Sequence, residues 1–388
     1  MNRRTFLALG SAAASVGLGG CLEDTGMSER GNGSDGPSAQ FQSGARNAGV
    51  TAGDVPETVE TRWQTTIDPV DGGLVVADGH VLVAAGGNLV ALDADGGDEL
   101  WDVDVGLDLP AAPAISDDVA YVTAWNGGPD QERGVAAIAL DDGSELWRAI
   151  PDVDVSSAPT LADGTIYVGG SLNSEEVIAL DADDGEELWR FRAGQYATTP
   201  AVAEGVVYVG GGSEHVAYAL DADEGDELWR FDADDRVWGA PTVVGETVYV
   251  SDRSGLLYAL NPDDGEEQWH ARVGSDVRES VAATDDAVYV PADEGFVALD
   301  ADDGEELWTA DEIENVHTPA VAGDGIVVTM GAAGRLDAAT GEVTWIHEVE
   351  TRQIRDVIYN GIWCEPVVAD GIVYIAAHGG HVYALEEP

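Results

Sequence analysis

Short apolar segments alternate with polar turns from about residue 60 to the end of the chain. Residues 240–244, 247–250, 257–260 and 267–269 illustrate the pattern, because each is rich in β-branched or aromatic residues and each ends at turn residues. Alternation with a period of two and this composition favour strands over helices. The pattern therefore predicts units of four short strands.

The four-strand unit repeats, and one tryptophan marks each copy. An Ala-x-Asp-x-x-x-Gly-x-x-x-Trp segment is clearest at residues 179–189, and the marker tryptophans are 37 to 46 residues apart. They are Trp63, Trp101, Trp147, Trp189, Trp229, Trp269, Trp308 and Trp345. Four-strand repeats of this length are typical of β-propeller blades. We expect the Asp-Gly turn to join the third and fourth strands, with Gly supplying a positive φ, and the Trp to wedge against the neighbouring blade.

The two ends of the repeat region complement each other. The last period ends at residues 382–385 without an Asp-Gly turn or a Trp strand, whereas the first Trp strand, at residues 60–64, has no blade before it. We therefore expect the N-terminal strand to complete the last blade and to leave no open ends. The prediction is an all-β, eight-bladed propeller of four-stranded antiparallel blades over residues 56–388. Weak repeats near Gly72 and Gly331 leave seven or nine blades as alternatives.

The repeat motif resembles the tryptophan-docking motif of the pyrroloquinoline-quinone (PQQ) repeat superfamily, over nearly all of residues 59–388. That superfamily contains quinoprotein dehydrogenases and the propeller lipoprotein of the bacterial outer-membrane assembly machinery. The resemblance implies the fold. It implies no single activity, because members share blades and differ in chemistry.

A quinone-dependent enzyme is the alternative function that this resemblance raises. In such dehydrogenases the protein positions PQQ beside Ca²⁺, and many stack an adjacent cysteine pair on the quinone. This chain has only Cys21 and Cys364, and no PQQ-site residue can be assigned by motif. The acidic turns at Asp181, Asp221 and Asp300 place Gly one position too early for an EF-hand, so we interpret them as hairpin turns. We expect no catalytic, metal-binding or cofactor-binding residue, with PQQ and calcium as the open alternative.

The amino-acid composition indicates the conditions in which the protein works. Acidic residues number 74 and basic residues 17, all of them Arg, so the formal net charge is -57. This charge excludes a nucleic-acid partner held through phosphates and disfavours binding to an anionic membrane surface. Hydrophobic residues still make up 44%, enough for a core. Acids spread along the whole chain are typical of extreme halophiles, where salt screens charges beyond about 3 Å; an ordinary acidic extracellular protein is the alternative.

The N-terminus carries the features of an export signal. Residues 1–20 begin with Arg3 and Arg4 in an Arg-Arg-x-Phe-Leu segment similar to a twin-arginine (Tat) signal, and an apolar run too short to span a bilayer follows. The Leu-Gly-Gly-Cys sequence that ends at Cys21 resembles a lipobox, so we expect cleavage there and lipidation of Cys21. Residues 21–55 are expected to form a flexible polar tether. An uncleaved N-terminal anchor is the alternative. If Cys21 carries lipid, Cys364 is the only other cysteine and has no partner, so no disulfide is expected.

Residues that break the acidic pattern precede the first strands of the later blades. Aligned on the prolines that begin those strands, the preceding two positions are small and nearly neutral in blades two to five but charged or titratable in blades six to eight. The latter positions hold Arg278, Glu279, His317, Cys364 and Glu365. Nearby Arg and aromatic residues are Arg236, Trp238, Arg352, Arg355, Tyr359 and Trp363.

Two interpretations of this cluster remain open. It could form a pocket at one mouth of the channel that binds an anionic or aromatic ligand, or a peptide, through Arg forks and stacking. Alternatively, Arg278 and Arg355 neutralise Glu279 and Glu365 and fasten the blades together. His317 has no second ligand at metal-binding spacing, so a metal site is not expected.

Together these patterns predict a non-enzymatic binding or scaffold propeller, exported by the Tat pathway and anchored as a lipoprotein to the outer face of the cell membrane. Its expected partner is a protein or peptide at the cell surface, and it contacts the membrane only through its lipid. The alternative is a PQQ-dependent or other quinone-dependent oxidoreductase.

Overall fold

The computed structural model describes residues 40–106, 108–125, 133–310, 313, 316–354 and 357–388. Within these ranges the chain is almost entirely β-structure, apart from a 3-10 turn at Phe41–Ser43. No helix in these ranges has the length and apolar character needed to cross a membrane.

Eight four-stranded antiparallel sheets account for nearly all the strands. Blade 1 contains β2 (Val70–Ala77), β3 (His80–Ala85), β4 (Asn88–Asp93) and β5 (Glu99–Asp104). Blade 2 contains β6 (Ala114–Ser116), β7 (Val119–Ala124), β8 (Gly134–Ala139) and β9 (Glu145–Ala149). Blade 3 contains β10 (Thr160–Ala162), β11 (Thr165–Gly169), β12 (Glu176–Asp181) and β13 (Glu187–Arg192). Blade 4 contains β14 (Ala201–Ala203), β15 (Val206–Gly210), β16 (Val216–Asp221) and β17 (Glu227–Asp232).

The second half of the ring repeats this arrangement. Blade 5 contains β18 (Thr242–Val244), β19 (Thr247–Ser251), β20 (Leu256–Leu260) and β21 (Glu267–Arg272). Blade 6 contains β22 (Ala282–Ala283), β23 (Ala287–Ala292), β24 (Gly295–Asp300) and β25 (Glu306–Ala310). Blade 7 contains β26 (Ala320–Ala322), β27 (Gly325–Thr329), β28 (Ala332–Asp337) and β29 (Val343–Glu348). Blade 8 contains β32 (Val367–Ala369), β33 (Ile372–Ala376), β34 (His381–Glu386) and, from the N-terminus, β1 (Glu60–Thr66).

The ring closes as the sequence predicts, with eight blades rather than seven or nine. Strand β1 pairs antiparallel with β34, with Glu60 opposite Glu386 and Thr66 opposite His381. First strands of neighbouring blades contact one another around the axis, including β32 of blade 8 and β2 of blade 1. The first strands therefore line the channel. The insertion before blade 8 adds a hairpin of β30 (Arg352–Ile354) and β31 (Val357–Tyr359).

Burial follows the position of a strand within its blade. Second and third strands such as β15 and β16 are buried over nearly their whole length, whereas the outermost strand β17 alternates between exposed and buried residues. Inner strands have a neighbouring blade on both faces, so both sets of side chains lie in apolar interfaces. The core is consequently a series of interfaces between blades.

The marker tryptophans connect consecutive blades. The indole N–H of Trp189 donates to the carbonyl of Ala222, in the third-to-fourth-strand turn of the next blade, at 2.8 Å. Gly225 in that turn has a φ of 72°, and a Cβ there would lie 2.6 Å from the Trp189 ring. This glycine therefore permits both the turn and the approach of the ring. The same bond joins Trp63 to Ala94, Trp101 to Leu140, Trp229 to Pro262, Trp269 to Ala301 and Trp308 to Ala338.

The acidic turns are hairpin turns, as interpreted from the sequence. A side-chain oxygen of Asp181 accepts the backbone N–H of Asp183 at 2.8 Å. Asp221 and Asp300 accept the N–H two residues later in the same way. These carboxylates are used to shape the turn.

Residues 40–55, here called the N-terminal segment, differ from the expected tether. Their backbone carbonyls accept hydrogen bonds from first strands of four successive blades. The pairs are Ala45 with Val202, Arg46 with Val243, Ala48 with Ala283 and Gly49 with Val321. The side-chain amide of Asn47, 1% exposed, donates to the carbonyls of Pro200 and Pro241 at 3.1 and 3.3 Å. The folded body therefore begins by residue 40, sixteen residues before the expected boundary.

The physical reason lies in the short first strands. Strands of two or three residues leave backbone N–H groups facing the channel, and buried N–H groups need acceptors. The N-terminal segment supplies those acceptors from its backbone. A polar, glycine-containing composition indicates a linker by itself, because pairing through the backbone requires no apolar alternation. Residues 21–39 of the expected tether lie outside the described ranges.

Gly225→Ala tests the docking of Trp189. We expect a loss of about 2–5 kcal/mol in the free energy of unfolding, since the positive φ costs an L-residue about 1–2 kcal/mol and overpacking costs about 1–3 kcal/mol. The matched control is Gly205→Ala, at a φ of 77° with no atom within 4 Å of the added methyl. Urea denaturation at one salt concentration measures both. Equal losses in the two variants would contradict a contribution from the Trp ring.

Asn47→Ala tests the attachment of the N-terminal segment. Loss of the amide leaves two carbonyls without their donor, so we expect a decrease of about 1–3 kcal/mol in the free energy of unfolding. Faster amide exchange at Val202 and Val243 should accompany it. Asn88→Ala, which removes only a bond to the side chain of Asp102 at the surface, is the control. If amide exchange at Val202 and Val243 is unchanged, residues 40–55 behave as the tether that the composition indicates.

Candidate binding site at the upper mouth

The two ends of the channel differ. The end where first strands begin, here called the upper mouth, carries the segments that lead into each first strand and the loops between second and third strands. The opposite, lower end carries the turns between first and second strands and between third and fourth strands. Every residue of the candidate cluster that the structure describes belongs to segments at the upper mouth.

Three titratable residues from blades 6, 7 and 8 meet at the upper mouth. Nδ1 of His317 lies 3.6 Å from a carboxylate oxygen of Glu279. The imidazole also donates a hydrogen bond to the backbone of Ile362, in the segment that leads to Glu365. The alignment of the repeats therefore identified neighbours: Glu279 and Glu365 occupy the position directly before the first strand, and His317 occupies the position before that in the blade between them.

The pKa values of the titratable residues at the upper mouth are shifted for different reasons. Burial opposes the charged form of His317, but the hydrogen bond with Glu279 and the charges of Glu279 and Glu365 outweigh it and raise the pKa of the imidazole. Burial, followed by the charge of Glu279, raises the pKa of Glu365. The Cys364 thiol is buried and donates to the Ala376 carbonyl at 3.4 Å, and burial raises its pKa to about 12. Cys364 is therefore a packed thiol with little thiolate character.

Trp363 is the large exposed side chain of this mouth. It is 60% exposed, and one face stacks on His378 with ring centroids 3.9 Å apart and an interplanar angle of 14°. Ile362 and Cys364 on either side of it are buried. Tyr359 from the hairpin packs against the same His378 ring at 4.9 Å.

A second aromatic group lies at blade 5. Trp238, 38% exposed, stacks on Tyr196 with centroids 5.6 Å apart, and the Arg253 guanidinium lies 5.6 Å from the Trp238 ring. Two hydrogen bonds of 3.0 and 2.9 Å join Arg253 to Asp276. Tyr196, Arg253 and Asp276 were not among the predicted residues. They lie in other loops, and no spacing in the sequence connects them with Trp238.

The predicted Arg residues do not form one anion-binding cluster. Arg278 pairs with Asp276 at 2.7 Å, so the expected pairing with Glu279 is wrong; His317 occupies that position instead. The nearer carboxylate belongs to the same loop and is already oriented by Arg253. Arg352 donates to the backbone carbonyls of Ile67 and Gly379 and fastens the hairpin to the ring.

The remaining predicted residues are either exposed or outside the described ranges. The Arg236 side chain is exposed, and its backbone carbonyl accepts the N–H of Arg253. Arg355 lies outside the described ranges, as do Arg3, Arg4 and Cys21. The expected pairing of Arg355 with Glu365 therefore stays a prediction.

The N-terminal segment extends beneath the upper mouth. Phe41 and Gln42 line a small cavity together with Pro319, Pro366 and Glu365. Gln42 is 7% exposed, and its side-chain N–H donates to the Val281 carbonyl at 2.8 Å. The segment thus borders the same cavity as Glu365, which the tether interpretation could not anticipate.

An apolar groove on blade 7 is a further feature that the sequence did not assign to a site. Its lining residues include Ile313, Met330, Ala332, Val343 and Ile346. The degenerate repeat near Gly331 was the available signal, because alanine and glycine replace larger third-strand residues there. From the sequence, the degenerate repeat indicated only that the number of blades was uncertain there.

The side chains that the structure describes at the mouth do not mark a PQQ or calcium site. Within the described ranges, no three His, Cys, Asp or Glu side chains form a group that could hold a metal ion. The sequence has no adjacent cysteine pair to stack on a quinone. We therefore derive no catalytic step through either group.

The raised pKa of His317 predicts a pH-dependent contribution to stability. A histidine whose pKa is higher when folded stabilises the protein fully below about pH 6.5, and this contribution disappears as pH rises through the folded-state pKa. The loss of unfolding free energy caused by His317→Gln should therefore be larger at pH 6 than at pH 8.5, as urea denaturation would measure. Glu279→Gln should weaken the same dependence. An identical loss at both pH values contradicts the interaction.

Known proteins resemble the chain mainly through its fold. The structure of BamB from Moraxella catarrhalis superimposes with a TM-score of 0.70 at 17% identity, over 85% of this chain and 98% of that one. Quinohemoprotein alcohol dehydrogenase from Comamonas testosteroni gives 0.73 at 14% identity, over 90% and 80%. The computationally designed Ika8 protein gives 0.68 at 15% identity, over 82% and 98%. Identities this low show a shared architecture alone.

Sequence comparison is more specific about the family. No curated protein sequence matches the chain significantly. A family model of PQQ-type repeats described as "Outer membrane protein assembly factor BamB" matches residues 46–134, 131–235 and 212–387. These matches span the ring and part of the N-terminal segment. The chain therefore belongs to the BamB-like family of PQQ-repeat propellers.

Proposed function

We propose that this propeller is a non-enzymatic scaffold that binds a protein or peptide segment at its upper mouth. Membership of the BamB-like family supports a role in protein interaction. The observation that carries the proposal is the upper mouth itself, where the exposed Trp363 follows Ile362, whose backbone bonds His317. Exposed aromatic residues next to part-buried polar groups are typical of the central residues of protein interfaces.

Two features make the mouth suitable for a segment of a partner. The N-terminal segment lies across the first strands of blades 4 to 7 and lines a cavity together with Glu365, so it occupies channel space next to the mouth and leaves the exposed side of the mouth to a partner. Both exposed tryptophans of the cluster are held by stacking, Trp238 on Tyr196 and Trp363 on His378. Rings that are already oriented lose little conformational entropy on binding.

The proposed location is the outer face of the cell membrane of a halophile. Its support is the twin-arginine-like start, the lipobox-like sequence at Cys21 and the acidic composition without lysine. Cleavage before Cys21 would remove two Arg and no acid, so the mature charge would be -59. Multi-molar salt would screen this charge, because the Debye length is only about 3 Å at 1 M salt.

The alternative is a quinone-dependent oxidoreductase, and fold similarity to a quinohemoprotein alcohol dehydrogenase favours it. The chemistry of the mouth does not add support, because the described acidic and histidine side chains form no three-ligand metal group. The two hypotheses differ in what they need from the mouth: a quinone needs a metal and flat stacking partners, whereas a peptide needs exposed anchors.

Site-specific photo-cross-linking tests the scaffold. A benzophenone amino acid in place of Trp363 or Trp238 should give a discrete adduct with one protein species on intact cells, because these positions face an occupant of the mouth. The matched control replaces Leu188, which is 49% exposed on the outermost strand of blade 3. Mass spectrometry identifies the adducts.

Adducts of equal yield and identity at Leu188 would contradict binding at the mouth. A stoichiometric absorbance change when PQQ and Ca²⁺ are added to the purified mature protein in high salt would instead favour the oxidoreductase.

A further inference from the structure

The blade 7 groove is an open extension of the interface between blades 6 and 7. Its volume is about 510 Å³, within the range of about 300–1,000 Å³ that is usual for ligand pockets. Val328 and Leu336 line it, and both belong to a buried apolar cluster that also contains Phe296 of blade 6. The groove therefore continues an apolar interface out to the surface.

The pairing of the blade 7 strands shows which residues face the groove. Val328 in β27 lies opposite Gly334 in β28, and Gly334 lies opposite Ile346 in β29. Residues directly opposite one another share one face of a sheet. Gly334 and Ile346 are therefore on the face toward blade 6, as Val328 is.

Three other interfaces between blades hold a pair of rings at the equivalent place. One ring comes from the outermost strand of a blade and the other from the third strand of the next blade. The ring centroids are 4.9 to 5.4 Å apart and the planes lie at 62 to 73°, the edge-to-face geometry that aromatic rings prefer. The pairs are Phe191 with Tyr218, Phe231 with Tyr258, and His347 with Tyr383.

The interface between blades 6 and 7 lacks both rings. Strand register places Ala310 at the position of Phe231, and Gly334 at the position of Tyr218. The aromatic residue of blade 6 lies one strand further in, at Phe296, and is fully buried. An added Cβ at Gly334 would meet its nearest atoms at ordinary contact distances of 3.6 and 3.7 Å. The groove therefore corresponds to the place that a ring pair fills elsewhere in the same propeller.

The outermost strand beside the groove also lacks the charges found in other blades. Blade 4 has Glu227 and Arg230 on this face, whereas blade 7 has Val343 and Ile346 at these positions. Val343 is 40% exposed and Ile346 is 64% exposed. In a chain with a net charge of -57, this uncharged strip favours an apolar group from a partner, because burial of apolar surface is favourable and burial of an unpaired charge is costly.

We propose that the blade 7 groove binds an aromatic side chain from a segment of a partner protein. The ring would lie over Gly334, with Ile346 on its outer side. Met330 lines the upper end, and its thioether makes favourable contacts with aromatic rings. None of the lining residues belongs to the candidate cluster at the upper mouth. The groove is therefore a second docking site, and its chemistry does not rest on the proposed binding at the mouth.

The first test compares matched peptides on the purified protein at one fixed salt concentration. Acetyl-Gly-Phe-Gly-amide and its cyclohexylalanine and alanine analogues are followed by saturation-transfer NMR. We expect the Phe peptide to bind at least about tenfold more tightly than the Ala peptide, because it buries a ring. It should bind several-fold more tightly than the cyclohexylalanine peptide, because a saturated ring loses the contact with the Met330 sulfur.

Two variants locate the site by restoring what other blades contain. Gly334→Tyr introduces the residue of blade 4 and should abolish binding by filling the groove. Ile346→Arg introduces the other blade 4 residue and should weaken binding about fivefold or more, because it removes apolar surface and adds a charge. Leu188→Tyr and Leu188→Arg, at a 49% exposed position on the outermost strand of blade 3, are the matched controls and should leave binding unchanged. Urea denaturation checks that each variant is folded.

Photo-cross-linking tests the source of the ring. A diazirine analogue of leucine in place of Val343 should give an adduct on intact cells, at or beside an aromatic residue of one protein. Gly334→Tyr in the same chain should remove this adduct. An adduct with a small molecule alone, or a protein adduct that Gly334→Tyr leaves unchanged, would contradict the docking of a partner segment.

Equal binding of the Phe and Ala peptides would overturn the proposal. Equal binding of the Phe and cyclohexylalanine peptides would also overturn it, because the groove would then accept any apolar group. Binding of no peptide would overturn it as well, since the groove would then be closed by the chain itself. These comparisons use the wild-type protein and do not depend on a variant folding. Adducts at Trp363 with none at Val343 would overturn this second site and leave the proposed scaffold function standing.

Discussion

The docking of a tryptophan from one blade onto the glycine turn of the next is the interaction on which the ring depends. A single four-stranded blade cannot bury both faces of its sheet, and stacking against neighbours supplies the missing apolar contact. The indole adds direction, because its N–H bonds a carbonyl of the neighbouring turn while its ring covers the turn glycine. Each blade therefore fixes the position of the next, so the eight blades close into a ring and do not continue as an open helix.

Blade 8 is an exception to this docking pattern, and the N-terminal chain supplies the missing acceptor. Blade 8 takes its outermost strand from the N-terminus and so lacks the third-to-fourth-strand turn that would accept a bond from blade 7. The Trp345 indole instead donates to the carbonyl of Pro56 at 2.9 Å, just before β1 begins. Trp63 in β1 then bonds Ala94 of blade 1 at 2.9 Å. The same N-terminal chain thus replaces a turn, completes a sheet and, through residues 40–55, covers first strands of the channel.

The candidate site lies where the repeat is least regular. Blades 3 and 4 follow the consensus closely and hold small residues at the upper mouth, whereas blades 6 to 8 place Glu279, His317 and Glu365 at the two positions before their first strands. Alignment of the repeat could bring these residues together because equivalent positions in a ring lie side by side. It could not predict which of these residues form ion pairs with one another. Arg278 bonds Asp276 and His317 bonds Glu279 because of loop conformations that carry no signature in the sequence.

The sequence by itself determined the strand pattern, the repeat length, the eight blades and the closing strand, because these follow from local alternation and from a motif whose physical role is the same in every copy. It also identified the titratable residues that precede the first strands of blades 6 to 8 at the upper mouth. Tertiary structure alone decided the place of residues 40–55, since backbone carbonyls of any composition can satisfy N–H groups left free by short first strands. It also decided which charges are matched and placed Glu365 and Gln42 in the lining of one cavity. Such pairings depend on distances between loops that are far apart in the chain.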